Sequence, residues 1–412
     1  HGTALIAVLG GVVCAVWRRI AGIRSVVDVS TPLASQEHHH LSTPSRVWAM
    51  AEVSGSSASS GMSGPGQDAA GPETTEPWNA LRWLPELDLD AEESTPEEGE
   101  KVMPCFLIES MAYLPDSKRM LNIIEKRYRQ MYSDILFNGS RQFVVAFLPP
   151  DGVFKGKYMA EVGVIFYLEE LEDLSEQTND RVKWRCVHTV TGRVRIKRVL
   201  NPHVLKKRPT YLKVVVEDLE ELDADKECLE AEEAITKAFN DIVKLQQVVN
   251  EVTRFEVDMS VANMNNMGGR GPMGMWRTAR LWQSLLMSRL GSNQKSRDAA
   301  TYQMLNDWME KRAQGLTDFV EDPNIDWENI KPGQQVAIDW KTLPLDLRRD
   351  ILQMHKMYEE RSASDMACLG TGFQQMVQEE SHCERVAILR DMLERERERL
   401  EAKQAFQLFP GQ

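Results

Sequence analysis

A chain of 412 residues with 42 % apolar content has room for one to three domains and a sizeable core. Its net charge of −13 argues against global attraction to nucleic acid or to an anionic membrane. The six cysteines (14, 105, 186, 228, 368 and 383) include no Cys-x-x-Cys pair, so their spacing suggests neither a zinc ribbon nor a disulfide framework, and a reducing compartment is the expectation.

Residues 4–17 form an uninterrupted apolar run ended by Arg18-Arg19. Fourteen residues are short for a membrane-crossing helix and suit the hydrophobic region of a signal sequence; a longer run upstream would make an anchor. Residues 1–24 are therefore expected to be signal-like or to anchor the chain, and membrane contact is expected only through 4–17. From Ser25 to Gly71 the composition turns to Ser, Ala, Gly, Pro and Thr. That Ser-rich, acid-poor tract after a signal-like run resembles the bipartite leaders of complex plastids; a disordered tail tethered in the secretory system is the alternative. His38-His39-His40 offers at most weak metal binding, with no further ligand nearby. Residues 68–100 carry eleven acidic side chains against one Arg, so 25–100 reads as disordered, then as an acidic linker. Within it Trp78, Leu81, Trp83 and Leu84 are expected to dock on the chain's own folded domain, because tethered aromatics bury at little further cost.

Residues 101–222 read as a β-rich domain around one helix. Leu121, Ile124, Tyr128, Met131 and Ile135 recur at helical spacing, opposite Lys126, Arg129, Gln130 and Ser133. Glu125 and Arg129 stand at the supporting i, i+4 spacing. Strands are expected at Cys105–Ile108, Gln142–Leu148, Ala160–Leu168, Val182–Val190, Arg193–Leu200 and Tyr211–Val216, with a turn at Thr191-Gly192. Arg193, Arg195 and Lys197 alternate with Val194 and Ile196, giving one basic and one core face.

These words, in this order, resemble the N-terminal domain of Lon proteases. Leu114-Pro115 stands for its Phe-Pro turn, and Leu121, Ile123, Glu125, Arg127 and Tyr128 match its helix signature, whereas Met120, Asn122, Ile124 and Lys126 depart from it. Phe143-Val144-Val145, Val162-Gly163-Val164-Ile165, Gly192-Arg193-Val194-Arg195-Ile196 and Tyr211 through Glu217 resemble its later strands. The resemblance implies a PUA-like β-barrel or sheet, hence an α+β chain, and a role in holding polypeptide. Leu389 through Glu401 and Phe406 more weakly resemble the tail of plastid proteins that pair this domain with helices.

Residues 223–412 read as a helical extension. Helices are expected over 224–255, Trp276–Leu290, Arg297–Ala313, Leu347–Arg361 and Phe373–Ala405, with a Met- and Gly-rich loop at 256–275.

The chain lacks the chemistry of the whole protease. Gly156-Lys157-Tyr158 has neither the spacing nor the hydroxyl of a phosphate loop, and no segment resembles the Lon peptidase serine motif. Gly269-Arg270-Gly271-Pro272-Met273-Gly274 spells Gly-x-Gly-x-x-Gly without the preceding strand that a dinucleotide site needs, so it reads as a flexible loop. Cys186 and His188 share one strand face but lack a third group, and read as buried strand residues. Asn138-Gly139-Ser140 is a glycosylation sequon only in a secretory lumen; after a helix, Asn-Gly commonly ends it. No catalytic group, metal or cofactor is expected. Ten Lys or Arg fall within 183–213 with no acid, and ten acids follow within 217–233, which would neutralise them internally. The expected function is non-catalytic recognition of unfolded or extended polypeptide, as an adaptor or chaperone-like factor beside a protease or chaperone. A sheet edge and the loop methionines Met264, Met267, Met273 and Met275 would provide the adaptable surface. The alternative is an RNA-binding module using Arg193, Arg195 and Lys197.

Overall fold

The structure is a computed structural model, and it describes residues 3–9, 12–18, 77–109, 111–149, 157–222, 228–255, 272–313, 335–340 and 343–408. Its strands are β1 (Thr3–Leu9), β2 (Val12–Arg18), β3 (Lys101–Ile108), β4 (Lys118–Ile123), β5 (Gln142–Phe147), β6 (Val162–Asp173), β7 (Trp184–Val199), β8 (Leu212–Asp218) and β9 (Gln335–Asp339). The longer helices are α1 (Lys126–Phe137), α2 (Leu229–Val248), α3 (Pro272–Ala313), α4 (Leu345–Ala367), α5 (Phe373–Gln378) and α6 (His382–Leu408). Two compact units result, 1–73 with 290–363 and 74–289 with 364–412.

In the first unit β1 pairs antiparallel with both β2 and β9. The described parts of the apolar run 4–17 are thus strands, and among the described residues no helix is long and apolar enough to cross a membrane. In the helical part of this unit Leu305 and Ile351 are buried, and Thr301 Oγ1 lies 2.9 Å from His355 Nε2.

The second unit contains a closed barrel. Five strands follow one another in the order β7, β6, β5, β3, β8, and β8 pairs back onto β7. The β3–β5 pair is parallel and the others are antiparallel. The fold is therefore α+β, a five-stranded barrel followed by helices. Val, Ile and aromatic side chains fill these strands because branched and ring side chains pack well on a pleated surface. Met103, Cys105, Val144, Ala146, Val194, Ile196, Val214 and Val216 form the interior. Gly163 is required there: a Cβ on it would stand 2.7 Å from Val144 Cγ1 and 2.8 Å from the Val145 carbonyl oxygen.

Four expectations are corrected. First, the helix expected to begin at Leu121 begins at Lys126. Leu121 and Ile123 lie on β4, paired with β7, and Ile124 is 50 % exposed, so the stripe that packs on the sheet is Tyr128, Met131, Tyr132 and Ile135. Second, Thr191-Gly192 is no turn. Strand β7 runs 16 residues without a break, and Ile165 pairs Gly192 while Phe166 pairs Val190, which leaves Thr191 as the extra residue of a bulge. Third, 276–313 is one helix, α3, which already opens at Pro272. Met275 is buried on it and belongs to no loop; Met264 and Met267, like Gly269 to Gly271, lie outside the described residues. Fourth, the helix expected over 373–405 is interrupted between Gln378 and His382, so that α5 and α6 are separate.

The cysteine reading also changes. Cys228 and Cys383 are joined by a disulfide across 155 residues, while Cys105 and Cys186 are free and buried. Spacing along the chain carries no trace of a bond closed over that distance.

Candidate binding surfaces

The first half of β7 lies under α1. Tyr132, Phe143, Phe166 and His188 form a ring cluster with centroids 5.4 to 5.7 Å apart. His188 is fully buried; its Nδ1 faces the Arg119 carbonyl oxygen at 3.3 Å, an acceptor, so Nδ1 carries the proton. Nε2 then accepts a 2.7 Å hydrogen bond from the Tyr132 hydroxyl. Burial holds the imidazole neutral, with its pKa lowered to about 4, and pushes the Cys186 thiol up to about 12. A neutral, fully engaged His beside an un-ionised thiol is a packing element, as expected of Cys186 and His188.

The family-like residues are structural too. Phe106 lies 4.2 Å from the Tyr128 ring, Arg127 lies over that ring at 4.5 Å, and Glu125 pairs with Arg127 at 2.8 Å where α1 begins. The Tyr211 hydroxyl donates to Asp134 at 2.7 Å, tying the β7–β8 connection to α1. Leu121, Ile123 and Phe143 are buried beneath the helix, and Gly192 flanks the bulge.

The second half of β7 carries Arg193, Arg195 and Lys197, and none of the three is free. Arg193 is 6 % exposed. It donates to the carbonyl oxygens of Val377 and Glu379, pairs with Glu221 at 3.2 Å and lies over Trp276. Burial first, and the neighbouring Arg385 second, lower its pKa to about 10. Arg195 is held by Glu161, Glu217 and Glu380, and Lys197 by Glu217. Compensation by Glu217 and Glu221 was expected from the sequence. Further partners come from β6, where Asp173 pairs with Lys183 and Glu172 with Arg185, and from the linker, where Glu100 pairs with Arg198, Glu93 with Lys213 and Asp90 with Lys206. The acidic linker, Pro77–Glu100, is thus folded against the barrel, and Trp78, Leu81 and Trp83 pack around Phe147 as expected of docking in cis, with Leu84 in the barrel core. A depression of about 330 Å³ beside Asp90, Glu93, His203 and Lys206 is bounded by this same strap. Among the described residues no group of three or more His, Cys, Asp or Glu is arranged to hold a metal ion; His38 to His40 lie outside them.

Sequence reading missed the far end of the α2–α6 pair. Cys228 at the start of α2 is bonded to Cys383 near the start of α6, and Glu251 just past α2 meets Arg399 and Lys403 near the end of α6, so the helices run parallel. At that far end Gln407 donates to the Val249 carbonyl oxygen at 3.3 Å. Beside this contact Val248, Val252 and Phe406 are 60, 88 and 79 % exposed. Glu251, next to Val252 in the chain, pairs with Arg399 and Lys403 of α6. An apolar centre with a polar border is the usual make-up of a binding surface.

No family model matches the chain, and no curated protein matches it. Among solved structures it is similar to the N-terminal domain of a Mycobacterium avium complex Lon protease, at 15 % identity over 41 % of this chain and 82 % of that one, with a TM-score of 0.28. A Lon N-terminal domain protein from Xanthomonas campestris is similar at 20 % identity over 44 % of this chain and 97 % of that one, with a TM-score of 0.27. Neither likeness carries an argument about function.

Proposed function

We propose that this chain is a non-catalytic module that holds extended, apolar polypeptide segments, as an adaptor or chaperone-like factor does. The observation that carries the reading is the exposed group Val248, Val252 and Phe406 at the end of the α2–α6 pair. The barrel is a weaker candidate for the contact. Its closure through β7–β8 removes most free edge, which leaves β4 as the terminal strand for backbone pairing. Eight of the ten cationic side chains of 183–213 are tied to carboxylates of the same molecule, which works against the nucleic-acid alternative. Its buried Cys105, Cys186 and His188 are held in their neutral forms, which suits packing rather than nucleophilic or acid–base work.

The test is retention of a permanently unfolded polypeptide by the full chain, without nucleotide, across a salt series. Binding that persists at high salt supports an apolar contact. Binding that collapses with salt, or that appears only with RNA, would refute it.

A further inference from the structure

We infer that Asn138 is an N-glycosylation site on a chain that passes through a thiol-oxidising lumen. Two independent observations meet in this inference. The Cys228–Cys383 disulfide joins two residues of the second unit that stand 155 positions apart in the chain, and such bonds form and persist in oxidising compartments. Asn138-Gly139-Ser140 is the sole Asn-x-Ser/Thr sequence (x not Pro) in the 412 residues, and all three of its residues are exposed.

The local geometry accommodates the product. Asn138 caps the C-terminus of α1, where its backbone N–H bonds to Asp134, and Gly139 turns the chain away at φ +75°. The Asn138 Oδ1 accepts from the Ser140 N–H at 2.9 Å, whereas Nδ2 has no partner among the described residues. Modification occurs at Nδ2: it attacks the anomeric carbon of a lipid-pyrophosphate-linked oligosaccharide and forms the C–N bond. The bond from that carbon to the pyrophosphate oxygen breaks, the lipid pyrophosphate leaves with the electron pair, and one Nδ2 proton is lost. The amide carbonyl survives, so the bond from Ser140 is kept and no contact of the folded chain is lost. The neighbouring Phe137 is 95 % exposed, the barest of the large apolar side chains described, and the first sugar would lie within reach of its ring. The inference does not depend on what the α2–α6 end binds.

The test uses protein isolated from the cells that make it, alkylated before unfolding, digested without reduction and mapped by mass. The expected result is a Cys228–Cys383 linked peptide pair, together with an Asn138 peptide that carries a glycan removable by peptide N-glycosidase. A Ser140→Ala chain expressed in the same cells is expected to lose the glycan and keep the disulfide. An Asn138 peptide recovered bare would overturn the inference, whether or not the cysteines are linked.

Discussion

The basic side of the barrel and the apolar end of the α2–α6 pair are opposite cases. The first looks conspicuous along the chain, yet Lys183, Arg185, Arg193, Arg195, Lys197, Arg198, Lys206 and Lys213 each meet a carboxylate of the same molecule. The second is unremarked by any motif, yet leaves Val248, Val252 and Phe406 facing water. What is available to a partner is decided by which groups the fold has already satisfied, and not by how densely a residue type is written.

The comparison breaks most visibly at Arg193. Replacing it with Ala removes its bonds to the Val377 and Glu379 carbonyl oxygens and its pair with Glu221; Arg385 still holds Glu221 and the Glu379 carbonyl oxygen, so a loss of about 1.5–3 kcal/mol is expected for charge-assisted hydrogen bonds. Urea unfolding of the full chain measures it, with Arg193→Lys, which retains the charge, expected to lose less. A loss under about 1 kcal/mol would mean that the residue is more open than the structure shows.

The barrel's other committed polar group gives the next largest effect, through pH. His188 has its pKa lowered to about 4 by burial, so between that value and its ordinary one the unfolded chain binds a proton that the folded chain does not. Stability from this group is full at neutral pH and falls as pH drops through the ordinary imidazole range, by about 2 kcal/mol at pH 5. His188→Gln removes this part of the slope. The comparison is therefore the difference in unfolding midpoint between wild type and variant at pH 7 and pH 5; equal slopes would contradict the buried neutral assignment.

The smallest effect sharpens the contrast within β7. Lys197 is half exposed and, among the described residues, pairs with Glu217 alone, so Lys197→Ala is expected to change stability by less than about 0.5 kcal/mol. Reversal to Glu is likewise expected to leave polypeptide retention unchanged, and a marked loss of retention would move the binding surface to the barrel.

Much of the barrel was legible because its strands alternate or run apolar between turn residues. The core assignments of Cys186 and His188, and the docking of Trp78 and Trp83, followed from the same chemistry. What was misread has particular causes. Leu121, Ile124 and Tyr128 fit a helical spacing, while Leu121, Asn122 and Ile123 also alternate with a period of two; a short segment does not separate the two periods. Thr191-Gly192 has turn composition, but Gly also marks bulges, and β7 needs one to serve both the barrel and β4. The interval 291–296 between the two expected helices is helical as well, and a helix absorbs its single Gly291 at a cost of about 1 kcal/mol. The end of α2 was invisible, because exposure of Val252 and Phe406 depends on α6 returning beside α2 from 155 residues away across the disulfide.

The most direct measurement is fluorescence anisotropy of a labelled, permanently unfolded polypeptide titrated with the full chain, wild type against the doubly substituted Val252→Asp, Phe406→Asp. Both sites are exposed, so the fold is expected to survive, as checked by an unchanged unfolding midpoint. The doubly substituted chain is expected to bind at least tenfold more weakly, roughly 1.4 kcal/mol. Equal affinities of the two proteins, or no binding by either, would contradict it.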